Sequence, residues 1–205
     1  MTQVERTSAP GADEPVWART RILDAQGVGR ALTRLAHEIV EAHPDDLERV
    51  ILAGIREGGV GVARVLRARL RDIRPAEVPL VAVDVSGFRD DRPRKPGLDG
   101  SWQGVDPVTG RARPEPAPSP DGCVVVLVDD VIQTGRTMRA AFDVVSSHGR
   151  AAAIEMAVLV DRGGREVPVR PTYVGKNLPV SASEWVEIEH GVGPDAGGVF
   201  LVSRP

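Results

Sequence analysis

Val124-Val125-Val126-Leu127-Val128-Asp129-Asp130-Val131-Ile132-Gln133-Thr134-Gly135-Arg136-Thr137 decides the fold. Five apolar residues read as a buried strand, Cys123 to Val128, that delivers two adjacent acids to its end. A short polar loop follows. A helix then runs from Arg136 to Ser147, with Met138, Ala141, Phe142 and Val145 inward and Gly149 as its stop. The loop can present successive backbone N–H groups, and the helix start adds its positive dipole end, a combination that suits a phosphate. Gly135 lets the backbone come close, and Thr134 and Thr137 add hydroxyl donors. The acids suit vicinal hydroxyls, directly or through hydrated Mg²⁺. Phosphate and diol together describe a ribose 5-phosphate. A strand-to-helix turn capped by Asp and Thr is the alternative. The stretch is neither a P-loop nor a dinucleotide fingerprint.

Outward from this stretch, the pattern alternates. Arg30 to Glu41 is an amphipathic helix with Leu32, Leu35, Ala36 and Ile39 on one face. Val50 to Gly54 is a strand, Val60 to Leu70 a helix, Leu80 to Val85 a strand and Ile154 to Val160 another. Strands alternating with helices predict an α/β domain with a mostly parallel sheet covered on both faces. Its ligands belong beyond the carboxyl ends of the strands, in the loops after Gly54, Val128 and Val160. Residues 1–20 are polar and aperiodic and read as a flexible tail. Residues 21–205 form the domain, with a flexible Pro/Gly-rich excursion at 90–122.

The 205 residues are 41% hydrophobic and 3% aromatic, so aliphatic side chains must fill the core. A net charge of −3 argues against a protein that coats nucleic acid nonspecifically, so any RNA binding needs a local basic patch. Such a patch exists in 161–176, where Arg162, Arg165, Arg170 and Lys176 outnumber Asp161 and Glu166. The single cysteine, Cys123, excludes an internal disulfide. Nothing reads as a signal peptide or a membrane span, so a cytoplasmic protein with no membrane partner is expected.

The stretch Val124–Thr137 resembles the phosphoribosyl-pyrophosphate signature of type I phosphoribosyltransferases. Further segments resemble the pyrimidine operon regulators of that family: Ile22-Leu23-Asp24, Arg30 to Glu38, Leu52 to Arg56 with Gly59, Phe88 to Asp91, Val158 to Gly163, and Tyr173 to Pro179. The resemblance implies a type I phosphoribosyltransferase fold with a small hood. It implies a glycosyltransferase that joins uracil to phosphoribosyl pyrophosphate, giving UMP and pyrophosphate, with Mg²⁺ carried mainly by the substrate. It also implies RNA binding to the pyr mRNA leader in response to UMP or UTP, and a homo-oligomer.

Carried over residue by residue, the resemblance places Asp129, Asp130 and Arg89 in catalysis. Val125, Val126, Leu127, Val128, Val131, Ile132, Gln133, Thr134, Gly135, Arg136 and Thr137, with Arg56 and Gly59, meet phosphoribosyl pyrophosphate or UMP. Val160, Asp161 and Arg162 meet the base. Thr33, Arg34, His37, Arg165, Arg170 and Lys176 meet RNA; Arg34 and His37 alone could equally be a solvated helix face. Three positions depart from the family pattern. Glu57-Gly58-Gly59 stands for Thr-Arg-Gly in the pyrophosphate loop, which predicts slowed catalysis. Gln133 stands for Tyr, and Gly164 for His. A phosphoribosyltransferase with no RNA role and a nucleotide sensor without either activity are the competing readings.

Overall fold

The computed structural model describes residues 4–6, 17–56, 58–88, 90, 100–190 and 197–204. In chain order the elements are β1 (Val4–Arg6), β2 (Ala18–Asp24), α1 (Ala25–Ala42), β3 (Val50–Ile55), α2 (Gly59–Ile73), β4 (Leu80–Asp84), β5 (Ser101–Gly104), β6 (Val124–Ile132), α3 (Arg136–His148), β7 (Ala153–Asp161), β8 (Tyr173–Asn177), β9 (Glu184–His190) and β10 (Gly197–Ser203).

The main sheet has the order β5-β4-β3-β6-β7-β8 and is parallel except for β5, which runs antiparallel along β4. Alternate residues of its strands feed two cores, as the two-residue strand period requires. Val50, Leu52, Val126, Val128 and Leu159 pack under α1 and α2 with Leu35, Ile39, Leu66 and Leu70. Ile51, Ala53, Val125, Leu127 and Val158 pack under α3 with Met138, Ala141 and Val145. The predicted α/β architecture with both faces covered is what the chain adopts.

Three sequence expectations need correction. First, β6 does not stop at Val128. It continues to Ile132, because Asp129, Val131 and Ile132 keep pairing with Val158, Val160 and Asp161 of β7. Second, within the stretch read as tail, Val4–Arg6 and Ala18–Thr20 are strand. With β9 and β10 they make a separate antiparallel sheet, β1-β2-β10-β9, from the two ends of the chain. Its Ile22, Val186, Ile188 and Val199 pack onto the α1–α2 core, so it covers that side of the domain. Third, the 90–122 excursion contains β5. Trp102 is buried there, and its indole N–H donates to the Pro118 carbonyl at 2.8 Å.

Asp24 caps α1, its carboxylate accepting from the Gly27 N–H at 2.6 Å. Beneath the helix end, His43 and Tyr173 both meet the Glu155 carboxylate, at 3.1 and 2.7 Å. Tyr173 is buried, and burial with the Glu155 carboxylate pushes its phenol above the usual range.

Candidate functional site

At the carboxyl end of β6 lies a cavity of about 330 Å³. Its walls are Asp129, Val131, Ile132, Gln133, Thr134, Gly135, Thr137, Met138, Arg162 and Val186. The predicted phosphate loop, the start of α3, the end of β7 and the second sheet therefore converge on one space.

The backbone of this loop is held from outside. Arg162 N–H donates to the Ile132 carbonyl at 3.1 Å, Arg165 Nη1 to the Gln133 carbonyl at 2.7 Å, and the Glu166 and Val167 amides to the Thr134 carbonyl at 3.0 and 3.2 Å. Across a trans peptide the carbonyl and the next N–H point in opposite directions. With these three carbonyls engaged by residues 162–167, the N–H groups of Gln133, Thr134 and Gly135 point away from that segment. Among the described residues no hydrogen bond engages the Thr134 or Gly135 amide. Gly135 caps α3 with φ +84°, and a Cβ there would lie 2.2 Å from Val169 Cγ2. Only glycine fits, for conformation and for space.

The two acids, adjacent in sequence, serve different surroundings. Asp129 is buried at 8% exposure and lines the cavity. Asp130 accepts from the Val131 N–H at 2.7 Å and abuts Gly58, at the turn before α2. Gly59 is equally tight, because its Cβ would lie 2.0 Å from the Val128 carbonyl oxygen. The turn after β3 is thus pressed onto the end of β6. Arg56 points its guanidinium to Gln103 of β5 at 2.8 Å. Ser86 hydrogen bonds, with a smaller contribution from Arg56, hold the Asp84 carboxyl below the usual range. Glu57 and Arg89 lie outside the described residues.

Arg136, read as a phosphate contact, lends the loop its backbone while its side chain is spent elsewhere. Glu166 at 2.8 Å and Asp90 at 2.9 Å bind the guanidinium and raise its pKa. Of the expected base-contacting set, Arg162 lines the cavity. Its Nη1 donates to Gln133 Oε1 at 3.1 Å and its Nη2 to the Glu184 carbonyl at 3.1 Å, while its buried Nε has no partner among the described residues. Val160 is buried in the core, and Asp161 binds the Gly163 amide and Arg165. Val186, which sequence reasoning missed, closes the cavity from β9. Its signal was the alternation Trp185-Val186-Glu187-Ile188-Glu189.

The residues expected to face RNA separate into two environments. Thr33, Arg34 and His37 share an open groove on α1. Arg34 Nη2 donates to the Val174 and Gly175 carbonyls of β8, both at 2.8 Å, which ties α1 beside the exposed Lys176. Arg165 behaves differently. Its Nε donates to the Val169 carbonyl at 3.2 Å, Nη1 to Gln133, and Nη2 to Asp161 at 2.6 Å. It braces the loop after β6 from the side of β7. Arg170 and Gly164 are exposed on the same β7–β8 connection.

Among the described residues no group of three or more His, Cys, Asp or Glu side chains forms a metal cage, and no helix is long and apolar enough to cross a membrane. The paired acids fit a hydrated divalent cation that arrives with a polyphosphate ligand.

Comparison with known proteins identifies the family and the fold. The family description "Phosphoribosyl transferase domain" matches residues 18–197. The chain is 46% identical over 168 residues to the Bifunctional protein PyrR of Streptococcus pneumoniae strain CGSP14, covering 82% of this chain and 88% of that protein. The same figures hold for strain TIGR4. In fold it is similar to the hypoxanthine phosphoribosyltransferase of Trypanosoma cruzi (TM-score 0.58, 18% identity, 90% and 96% coverage). It is likewise similar to that of Staphylococcus aureus (TM-score 0.56, 16% identity, 78% and 77% coverage).

Proposed function

Since the chain belongs to the phosphoribosyltransferase family, we propose that it is a UMP-responsive RNA-binding regulator of pyrimidine biosynthesis genes that also converts uracil and phosphoribosyl pyrophosphate to UMP and pyrophosphate. The observation that carries the nucleotide half is the loop at the end of β6: Gln133, Thr134, Gly135 and Thr137 line the cavity, the 132–134 carbonyls are engaged by residues 162–167, and Gly135 stands at the helix start. The relatives' name, Bifunctional protein PyrR, supports the pairing of the two activities.

In this reading the 5-phosphate sits on the 133–137 loop, and the helix start of α3 adds its dipole. Asp129 takes the ribose hydroxyls from the cavity wall, and Asp130 meets the same ligand from the side of Gly58. The base lies toward Arg162, whose partnerless Nε supplies a donor for a pyrimidine carbonyl. Uracil N1 forms the new bond to the anomeric carbon, that carbon loses its bond to pyrophosphate, and the N1 proton leaves to solvent or base. Positive charge grows on the sugar as the leaving group departs. Mg²⁺ bound with the pyrophosphate would neutralise the departing charge. Glu57, an acid in the loop that meets pyrophosphate, slows this step, so the regulatory role outweighs turnover. The protein works in the cytoplasm as a homo-oligomer.

The second reading, a phosphoribosyltransferase without an RNA role, draws on one observation: the Arg34 and Arg165 guanidinium groups are both committed to protein partners. A gel-shift titration with the pyr leader hairpin of the source organism, with and without UMP, separates the readings. UMP-tightened binding supports the regulator. Turnover of uracil without RNA binding at any UMP concentration supports the plain enzyme.

A further inference from the structure

Two of the three departures from the family pattern meet in space. Gln133 lines the cavity, and a Cβ built on Gly164 would lie 3.8 Å from Gln133 Cγ. The amide of Gln133 is held in one orientation. Its Oε1 accepts from Arg162 Nη1 at 3.1 Å. A guanidinium carries donors only, so the amide cannot turn round without setting N–H against N–H. The amide nitrogen, with its two N–H groups, is therefore the end left for a ligand; among the described residues no hydrogen bond uses it. Arg162 is fixed in turn by the Glu184 carbonyl of β9, which accepts from Nη2 at 3.1 Å. Its buried Nε has no partner among the described residues, and an unpaired buried N–H costs free energy that a ligand acceptor would recover. Gln133 and Arg162 thus have donors to offer, and the one acceptor between them is engaged. Val186 beside them is apolar, and Asp161 is spent on the Gly163 amide and Arg165.

We propose that Gln133 is a specificity-determining residue: held by Arg162, its amide turns N–H groups to the base edge and selects a 2,4-dioxo pyrimidine over a 4-amino pyrimidine. The inference rests on the nucleotide reading above and names the side chain that reads the base. Uracil carries a carbonyl oxygen on each side of its N3, so a donor-only pair finds acceptors. Cytosine replaces one of them with an amino group, and N–H then faces N–H. A site built to hydrogen-bond its ligand rejects the analogue that leaves those bonds unmade far more strongly than an apolar pocket rejects a change of size. The tyrosine usual at this position has a hydroxyl that both donates and accepts, so it does not impose this polarity by itself. Here the polarity belongs to the pair, whose members stand 29 residues apart in sequence. Only the seating of β7 beside β6 brings them together.

The test is calorimetry on the full-length protein with UMP, CMP and ribose 5-phosphate. The wild type is expected to hold UMP about tenfold or more tighter than CMP. Gln133→Glu keeps the shape and the Arg162 contact but replaces the amide donors with an acceptor, and is expected to lower the UMP-to-CMP affinity ratio by at least about tenfold. Its charge opposes the 5-phosphate of both nucleotides alike, so that effect cancels in the ratio. Gln133→Met keeps the length and removes the amide. It is expected to lower the ratio by about three- to tenfold, while ribose 5-phosphate affinity and the thermal midpoint stay level. If the wild type binds UMP and CMP equally, or if both variants leave the ratio unmoved, the base is read elsewhere; the Gln133 proposal is overturned and the nucleotide site stands. If Gln133→Met weakens ribose 5-phosphate as much as UMP, Gln133 only shapes the loop, which also overturns the proposal. A wild type that binds none of the three ligands removes the nucleotide reading and this inference together.

Discussion

Gly58 stands directly against Asp130: a Cβ built on Gly58 would lie 2.2 Å from one carboxylate oxygen and 2.6 Å from the other. The turn before α2 and the end of β6 are therefore fitted to each other through a hydrogen atom. Substitutions at 57 and 58 are expected to act in opposite directions. Glu57→Thr removes an acid from the vicinity of a polyanion and is expected to raise kcat/KM for uracil and phosphoribosyl pyrophosphate by about tenfold, equivalent to about 1.4 kcal/mol. Gly58→Arg restores a cation but displaces the Asp130 carboxylate, and is expected to lower kcat/KM by a similar factor. Steady-state assays of the two single variants decide; a gain in Gly58→Arg would show that the turn repositions.

Gly135→Ala is expected to abolish UMP binding. The left-handed backbone costs an L-residue about 1–2 kcal/mol, and the added methyl meets Val169 and Val167. Calorimetry with UMP reads the loss. A thermal midpoint lowered by several degrees reads the strain, at roughly 2–4 °C per kcal/mol for a chain of this size.

Asp130→Asn combined with Thr137→Ala is expected to reduce UMP affinity by at least about a hundredfold while the fold stays intact. Neither side chain belongs to either core, so far-UV circular dichroism should not change. Unaltered UMP affinity in this double variant would remove the nucleotide site from the 129–137 stretch.

Tyr173 sets a limit on alkaline stability. Its phenol is raised above the ordinary value of 10.0, first by burial and then by the Glu155 carboxylate. The folded state therefore keeps the proton longer than the unfolded chain does. The associated stability is complete below about pH 10 and is lost as pH rises above the unfolded-state value. Tyr173→Phe cannot ionise. Its denaturation midpoint is expected to be lower at neutral pH, for loss of the Glu155 hydrogen bond, yet to show a flatter decline above pH 10. Parallel urea melts at neutral and alkaline pH test this; equal slopes in both proteins would refute it.

Much of the main sheet was legible in the sequence because its signals are local. Leu32, Leu35, Ala36 and Ile39 repeat at helical spacing and are all buried. Val50 to Gly54 is a continuous apolar run and becomes the fully buried β3. The second sheet was not read, because what holds it together is remote in sequence. Arg19 pairs with Glu187 and Glu189, and Phe200 lies under the Arg19 guanidinium at 3.5 Å; no local window contains both partners. The loop after β6 and the helix start that follows it were legible as a motif, but the brace behind them was not. Arg165 looks like a surface cation in sequence and becomes a structural ligand of the Gln133 carbonyl only once β7 lies beside β6. The roles of Arg34 and Arg165 thus depend on carbonyl groups, which no side-chain pattern reveals.

The outward capping of the Ile132, Gln133 and Thr134 carbonyls has a consequence for the rate at which a nucleotide is captured. A loop stitched to its neighbour at three successive peptides is already in its receiving shape, so an arriving phosphate need not wait for a rare conformer, and affinity is not divided by the population of one. Association should therefore run near the speed of orientational encounter, leaving differences among nucleotides to be expressed in how long each one stays.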